Sequence, residues 1–403
     1  MTFKIALISI FTICVCNIGR TTALDMTCYY DTFSVHRKGF ASFKEYDLQN
    51  ALPLCDIVIY GYVGIKPEAF ELNFLHSKQH KQFTRVKILK NKYTNVKFIL
   101  SLGGGKDGNL GNNVFYFKLL QATPDEKKQF IHHIHKCLLK YKFDGFNFAH
   151  HLPKVNFQND LSLHGTEVID HYGREMSNLL RNLKATLIRD KLSLSLTVLP
   201  NTDVKSYYND AEMFDYFDFI TLSAFDYSSP LQTPNAANYL APLYDRHGYT
   251  ANVNYTLHQS NSVPFEKLIL GLPIFGRTWN TTKPLKNPKM PITKLLSGPA
   301  PGGYNTRTSG LLAWPEICKK LSKLKKISKK HSGSFAYRPG ISKDTQGLLI
   351  TYDDPDHIEE KVKFAKRSKL HGVAVFDITL DDFRGKCRGE KFLMLKMIKK
   401  LLN

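Results

Sequence analysis

The sequence predicts an α/β protein, a (β/α)8 TIM barrel with a small α+β insertion between its seventh and eighth strands. Eight short runs rich in β-branched and aromatic residues recur along the chain: Met26–Asp31, Asp56–Gly64, Val96–Gly103, Gly145–Ala149, Leu192–Leu199, Phe217–Phe225, Leu268–Phe275 and Gly372–Ile378. Their near-continuous apolarity suits strands buried on both faces, and the intervals between them hold helices that return the chain to start another parallel strand. One interval, 276–371, is too long for a loop and a single helix, so a further unit is expected inside it.

In chain order, residues 1–23 combine Lys4, an apolar run from Ile5 to Ile18 and a small-residue exit at Thr21-Thr22-Ala23. That run is shorter than the roughly 20 residues a membrane span needs and reads as a cleaved secretory leader. The expected mature chain starts near Leu24, is secreted and extracellular, and has no transmembrane segment. Barrel strands one to seven then occupy 24–279, the insertion 280–350, and the last strand and C-terminal helix 351–403. Thr123-Pro124-Asp125-Glu126 opens a helix, with Thr123 as N-cap, Pro124 at its first position and acids in the first turn. Inside the insertion, Ala336-Tyr337-Arg338 and Gly347–Tyr352 read as strands and Trp314–Lys330 as a helix.

Of the seven cysteines, Cys14 and Cys16 belong to the leader. An oxidising compartment favours pairing of the rest. We pair Cys28 with Cys55 and Cys318 with Cys387, a choice that cysteine arithmetic alone does not determine, and leave Cys137 as a buried free thiol. No Cys-x-x-Cys spacing suggests zinc, and neither a metal nor a cofactor is expected. His132 and His135 share a helix face without an evident third ligand. Asn254 and Asn280 head N-glycosylation sequons, which matter only for a secreted chain.

The formal charge is +21, of which Lys4 and Arg20 contribute two. Such an excess favours anionic partners. Its densest cluster is Lys319, Lys320, Lys323, Lys325, Lys326, Lys329 and Lys330. With Ile317, Leu321, Leu324 and Ile327 on one side of a helix, these lysines form either a solvated face or a patch for an anionic glycan. Nucleic acid is not expected as a partner.

The chemistry centres on Asp144-Gly145-Phe146-Asn147-Phe148-Ala149-His150-His151-Leu152-Pro153. On a strand, Asn147, Ala149 and His151 share one face and Phe146, Phe148 and His150 the other, so a metal held by His150 and His151 together fails on geometry. In a parallel barrel the inward set rises into the mouth, where barrel enzymes keep their active residues. This stretch resembles the Asp-Gly-x-Asp-x-Asp-x-Glu strand of the family 18 glycoside hydrolases, the chitinases, with Asp144, Gly145 and Pro153 matching. Ser101-Leu102-Gly103-Gly104 resembles that family's Ser-x-Gly-Gly motif. Long stretches such as Leu196-Thr197-Val198-Leu199-Pro200-Asn201, Ser297-Gly298-Pro299-Ala300-Pro301 and Asp381-Asp382-Phe383-Arg384-Gly385-Lys386-Cys387 are similar to the imaginal disc growth factors, secreted chitinase-like proteins without hydrolytic activity.

The resemblance implies that Asn147 and Ala149 stand at family aspartate positions, His151 at the proton-donating glutamate, and Phe225 at a tyrosine whose hydroxyl meets the substrate acetamide. Hydrolysis in this family is substrate-assisted and needs both a proton donor and groups that hold the acetamide. The expected catalytic set is therefore none, with Asn147, Ala149, His151 and Phe225 as its degenerate positions. Tyr30, Tyr62, Phe225, Asp226 and Phe376 are the candidate lining of a sugar cleft, Phe376 replacing the tryptophan that floors the chitinase site. Three readings follow. The first is a growth-promoting, signalling or matrix-associated factor that acts through a cell-surface receptor. The second is a lectin for N-acetylglucosamine oligomers of the chitin type, and the third an enzyme built on a repurposed His151.

Overall fold

The structure, a computed structural model, describes residues 24–66, 68–104, 114–149, 166–198, 211–244, 250–283, 285–294, 296–338 and 347–403. The expected leader, His150, His151 and the segment through Pro153 lie outside the described residues. Eight parallel strands close on themselves: β1 (Asp25–Asp31), β2 (Ile57–Lys66), β4 (Lys97–Gly103), β5 (Gly145–Ala149), β6 (Ser193–Val198), β7 (Phe219–Leu222), β8 (Leu268–Pro273) and β15 (Gly372–Phe376). Closure is made by β1, which pairs with β15 on one side and β2 on the other. All eight expected strands are present. The sequence reading lacked β3 (Glu71–Phe74), a half-buried strand antiparallel to β2.

Strand alternation sorts the side chains. Met26, Cys28 and Tyr30 of β1 and Phe146 and Phe148 of β5 pack outward, in one core with residues of the surrounding helices such as Phe83, Phe130 and Leu180. Tyr29, Ile57, Ile59, Ile99, Phe219, Ile269 and Ala374 fill the barrel interior. This two-sided burial is what near-continuous apolarity requires. Around the barrel, helix α4 (Pro124–Tyr141) begins as the sequence predicts: Glu126 N–H donates to Thr123 Oγ1 at 3.3 Å, and Thr123 N–H donates to Glu126 Oε2 at 2.7 Å. Both orphan donors of the first turn are thereby satisfied.

Cys28–Cys55 and Cys318–Cys387 are bridged and Cys137 is free. Cys137 is half-buried rather than fully buried, and burial pushes its thiol up to about 12. It is therefore a poor nucleophile at neutral pH.

Between β8 and β15 the chain builds a six-stranded antiparallel sheet from β9 (Phe275–Thr281), β10 (Leu296–Pro299), β11 (Leu311–Ala313), β12 (Lys325–Lys329), β13 (Gly333–Arg338) and β14 (Gly347–Tyr352). One correction falls here. The expected helix over Trp314–Lys330 stops at Leu321, and Lys325–Lys329 form an edge strand antiparallel to β13, with Ile327 opposite Phe335. The spacing of Leu321, Leu324 and Ile327 suits a helix, but pairing with β13 and burial of Ile327 against the sheet's own core prevail. Lysines on such an edge also discourage pairing with other chains. The bridge at Cys318 ties this unit to the segment after β15. Among the described residues no helix is long and apolar enough to cross a membrane.

Candidate functional site at the barrel mouth

Asn147 lies on the inward face of β5, fully buried. Its Oδ1 accepts from Ser101 Oγ at 2.8 Å and from Thr197 Oγ1 at 3.0 Å, and its Nδ2 donates to Ser195 Oγ at 3.0 Å. Tyr29 Oη shares a 2.6 Å hydrogen bond with Thr197 Oγ1, completing a chain across β1, β4, β5 and β6. The network uses Asn147 as both acceptor and donor. An ionised carboxylate there would be acceptor-only and would meet no cation in this chain of bonds. Ala149, also buried, adds no polar atom.

An aromatic floor sits above this network. Phe376 stacks on Tyr29 with ring centroids 3.9 Å apart and meets Phe225 at 4.8 Å; Phe225 in turn contacts Phe275 at 5.7 Å. Gly271 makes room for it, because a Cβ there would press on the rings of Phe225 and Phe376 at 3.1 and 3.2 Å. Phe225 is buried and Phe376 half-buried. Tyr62 is also half-buried, its ring lying across Gly104, whose φ of +65° and lack of side chain permit the approach. Burial raises the Tyr62 phenol well above its ordinary range.

Asp226, itself at φ +56°, is clamped by Arg277: Nε donates to Oδ1 at 2.7 Å and a terminal nitrogen to Oδ2. Such a fork–fork pair fixes the loop after β7 and leaves the carboxylate committed to its cation.

The structure corrects one proposed lining residue. Tyr30 is 2% exposed and packs outward against Phe43 and Tyr60, with Gln82 donating to its hydroxyl at 3.2 Å. Its neighbour Tyr29 takes the inward place, since adjacent residues of a strand face opposite ways. The sequence held the signal: with Cys28 directed outward to Cys55, Tyr29 must point in.

Two acids that the sequence reading did not single out also reach the mouth. Asp31 Oδ1 accepts from Phe33 N–H at 2.9 Å, and Asp377 Oδ1 accepts from Thr379 N–H at 2.7 Å. Burial raises the Asp377 carboxyl, Arg37 opposes that shift and Asp31 adds to it. Asp31 further lines a hollow of about 150 Å³ with Thr32, Phe33, Tyr62, Leu75 and His76. His132, His133 and His135 sit on α4 away from the mouth, His135 against Asp190 at 2.7 Å, and no cluster among the described residues has the make-up of a metal site.

Comparison with known proteins fits this architecture. The family model for glycosyl hydrolases family 18 matches residues 25–381. The chain belongs to glycosyl hydrolase family 18. Within the family it stands with the imaginal disc growth factors. Chitinase-like protein Idgf3 of Drosophila yakuba is 33% identical over 94% of both chains. Chitinase-like protein Idgf2 of Drosophila melanogaster is 33% identical over 96% of this chain and 98% of its own. Among solved family 18 structures, Ostrinia furnacalis Group IV chitinase superimposes with a TM-score of 0.80 at 24% identity, covering 94% of this chain and 99% of its own. Human YKL-39, described as a pseudo-chitinase with retained chitooligosaccharide binding properties, superimposes at 0.77 and 23% identity, covering 94% and 100%.

Proposed function

We propose that this family 18 chain is a secreted, non-hydrolytic chitinase-like factor that acts in growth, signalling or matrix association through a cell-surface receptor. The observation that carries this reading is Asn147: a group that does not titrate occupies the centre of the inward face of β5, locked by hydrogen bonds to Ser101, Ser195 and Thr197, beside an Ala149 that offers nothing to a developing charge. The names of the 33%-identical relatives support it. Catalytic sets that work as a unit lose most of their rate when one member goes, so His151 alone does not restore turnover. Secretion follows from the leader-like residues 1–23 and carries the proposed sugars at Asn254 and Asn280, both half-buried side chains on described elements. Purified protein expressed with its leader is expected to begin near Leu24 by intact-mass analysis and to release no product from a chromogenic N-acetylglucosamine oligomer. Turnover that disappears in His151→Ala would overturn the reading in favour of the repurposed enzyme.

A second reading, a chitin-oligosaccharide lectin, is favoured by the aromatic floor of Phe376, Phe225 and Tyr62, since rings without an acid suffice to hold a sugar. YKL-39, a structural neighbour, is described as retaining such binding. Titration with an N-acetylglucosamine hexamer, followed by intrinsic fluorescence, is expected to saturate. Phe376→Ala should weaken it about tenfold, by loss of one stacking platform. Absence of saturation leaves the receptor-directed reading and removes the lectin.

A further inference from the structure

Away from the barrel mouth, the antiparallel unit carries two adjoining hollows of about 450 and 480 Å³. They share Gly302, Lys320, Arg338 and Leu348 as a common wall. Lys319 and Lys323 line the first, and all three of these lysines are exposed. None of the three makes an ion pair among the described residues. The one acid in the lining, Glu316, is directed at the backbone: Oε1 accepts from Asn305 N–H at 2.6 Å and Oε2 from Ala313 N–H at 2.8 Å. Lys319, Lys320 and Lys323 therefore converge on a concave surface with no acidic partner of their own among the described residues.

From this geometry we infer that the paired hollows are a binding groove for a linear sulfated polysaccharide. Sulfates on successive sugars suit ammonium groups spaced along a trough, and charge-assisted contacts of this kind are the stronger class of hydrogen bond. Tyr304, 59% exposed at the rim of the first hollow, offers a ring for a sugar face. A lipid surface needs a convex or flat cationic face that reaches the headgroups, and here the lysines Lys319, Lys320 and Lys323 edge a depression. The remaining four lysines of the cluster divide differently: Lys325, Lys326 and Lys329 lie on β12, the edge strand, Lys330 directly follows it, and none of them lines either hollow.

That division supplies the test. Two triple variants remove equal charge: Lys319→Ala/Lys320→Ala/Lys323→Ala from the groove and Lys325→Ala/Lys326→Ala/Lys329→Ala from the edge strand. Calorimetric titration with a heparin octasaccharide at about 0.15 M salt, where diffuse charge is screened beyond roughly 8 Å, is expected to show the groove triple weakened between about tenfold and hundredfold. The edge-strand triple should change less than about threefold. Tyr304→Ala is expected to lose about threefold to tenfold, and a fully desulfated octasaccharide at least about tenfold. Equal losses in the two triples would assign binding to overall charge and overturn the groove. Undiminished binding of the desulfated chain, absence of saturable binding, or tighter binding to phosphatidylserine vesicles than to the octasaccharide also overturns it. The substituted side chains are exposed, and the single variant Lys320→Gln, at the wall common to both hollows, repeats the test with one conservative change.

Discussion

The barrel interior and the groove of the antiparallel unit are both polar, and they differ in what completes them. Inside the barrel, Tyr29, Ser101, Asn147, Ser195 and Thr197 satisfy one another, so every bond of that network begins and ends in the protein. In the groove, Lys319, Lys320 and Lys323 have no acidic partner among the described residues. A single residue type shows the same contrast. Lys361 is 2% exposed and donates to Asp353 Oδ2 at 2.6 Å, whereas Lys320 faces an open hollow. A closed polar set is structural, because its energy is spent on the fold; an open one is available to a ligand. The barrel interior thus has the character of a core, and the inserted unit the character of a surface that recognises something.

The sharpest way to break this comparison is to remove the partner of a buried charge. Lys361→Met leaves Asp353 buried without its cation and is expected to lower stability by about 3–5 kcal/mol in urea unfolding. The groove triple, by contrast, should stay within about 0.5 kcal/mol of the parent. A loss of the same size in both would erase the distinction. Next in size is Asn147→Ala, which strips partners from Ser101, Ser195 and Thr197 and should cost about 1–3 kcal/mol by the same measurement. A neutral result would mean that water replaces the amide and that the interior is wetter than a core.

The smallest effect belongs to the other end of the barrel. His371 Nε2 lies 3.1 Å from Asp25 Oδ2 and Nδ1 lies 2.9 Å from the Glu266 carbonyl oxygen; the bond to Asp25 chiefly raises its pKa against opposing burial. A histidine raised on folding binds protons more tightly when native, so its contribution is fully present below about pH 6.5 and is lost as pH rises through the folded value. His371→Gln should therefore melt below the parent at pH 5.5, by a half-exposed pair's worth of up to about 1 kcal/mol, and match it at pH 9. A difference that persists unchanged at pH 9 would show packing, not charge, at work.

How much of this was legible in the sequence follows from which forces act locally. The eight barrel strands were visible because burial on both faces writes continuous apolarity into Met26–Asp31 or Val96–Gly103. Asn147 and Ala149 were placed on the inward face by alternation alone. Tyr30 was misplaced for the same reason in reverse: alternation gives two faces, and only the Cys28 bridge says which is which. The Glu71–Phe74 strand escaped because it is short and half-buried, with little period to detect. The lysine segment was misread because its three apolar residues fit a helix as well as a strand, and the pairing of Ile327 with Phe335 that decides between them is not local. The groove itself was invisible, since Lys320 and Arg338 come together only through the antiparallel sheet and the helix packed against it.

The Cys318–Cys387 bridge has a bearing on how the molecule meets a protease. It closes a covalent ring through the groove's own helix, β12 to β14 and the final barrel strand. A protease that cuts the backbone once inside that ring cannot release a fragment. The nicked chain is held as one molecule until a reductant arrives, and it migrates as two pieces only on a reducing gel.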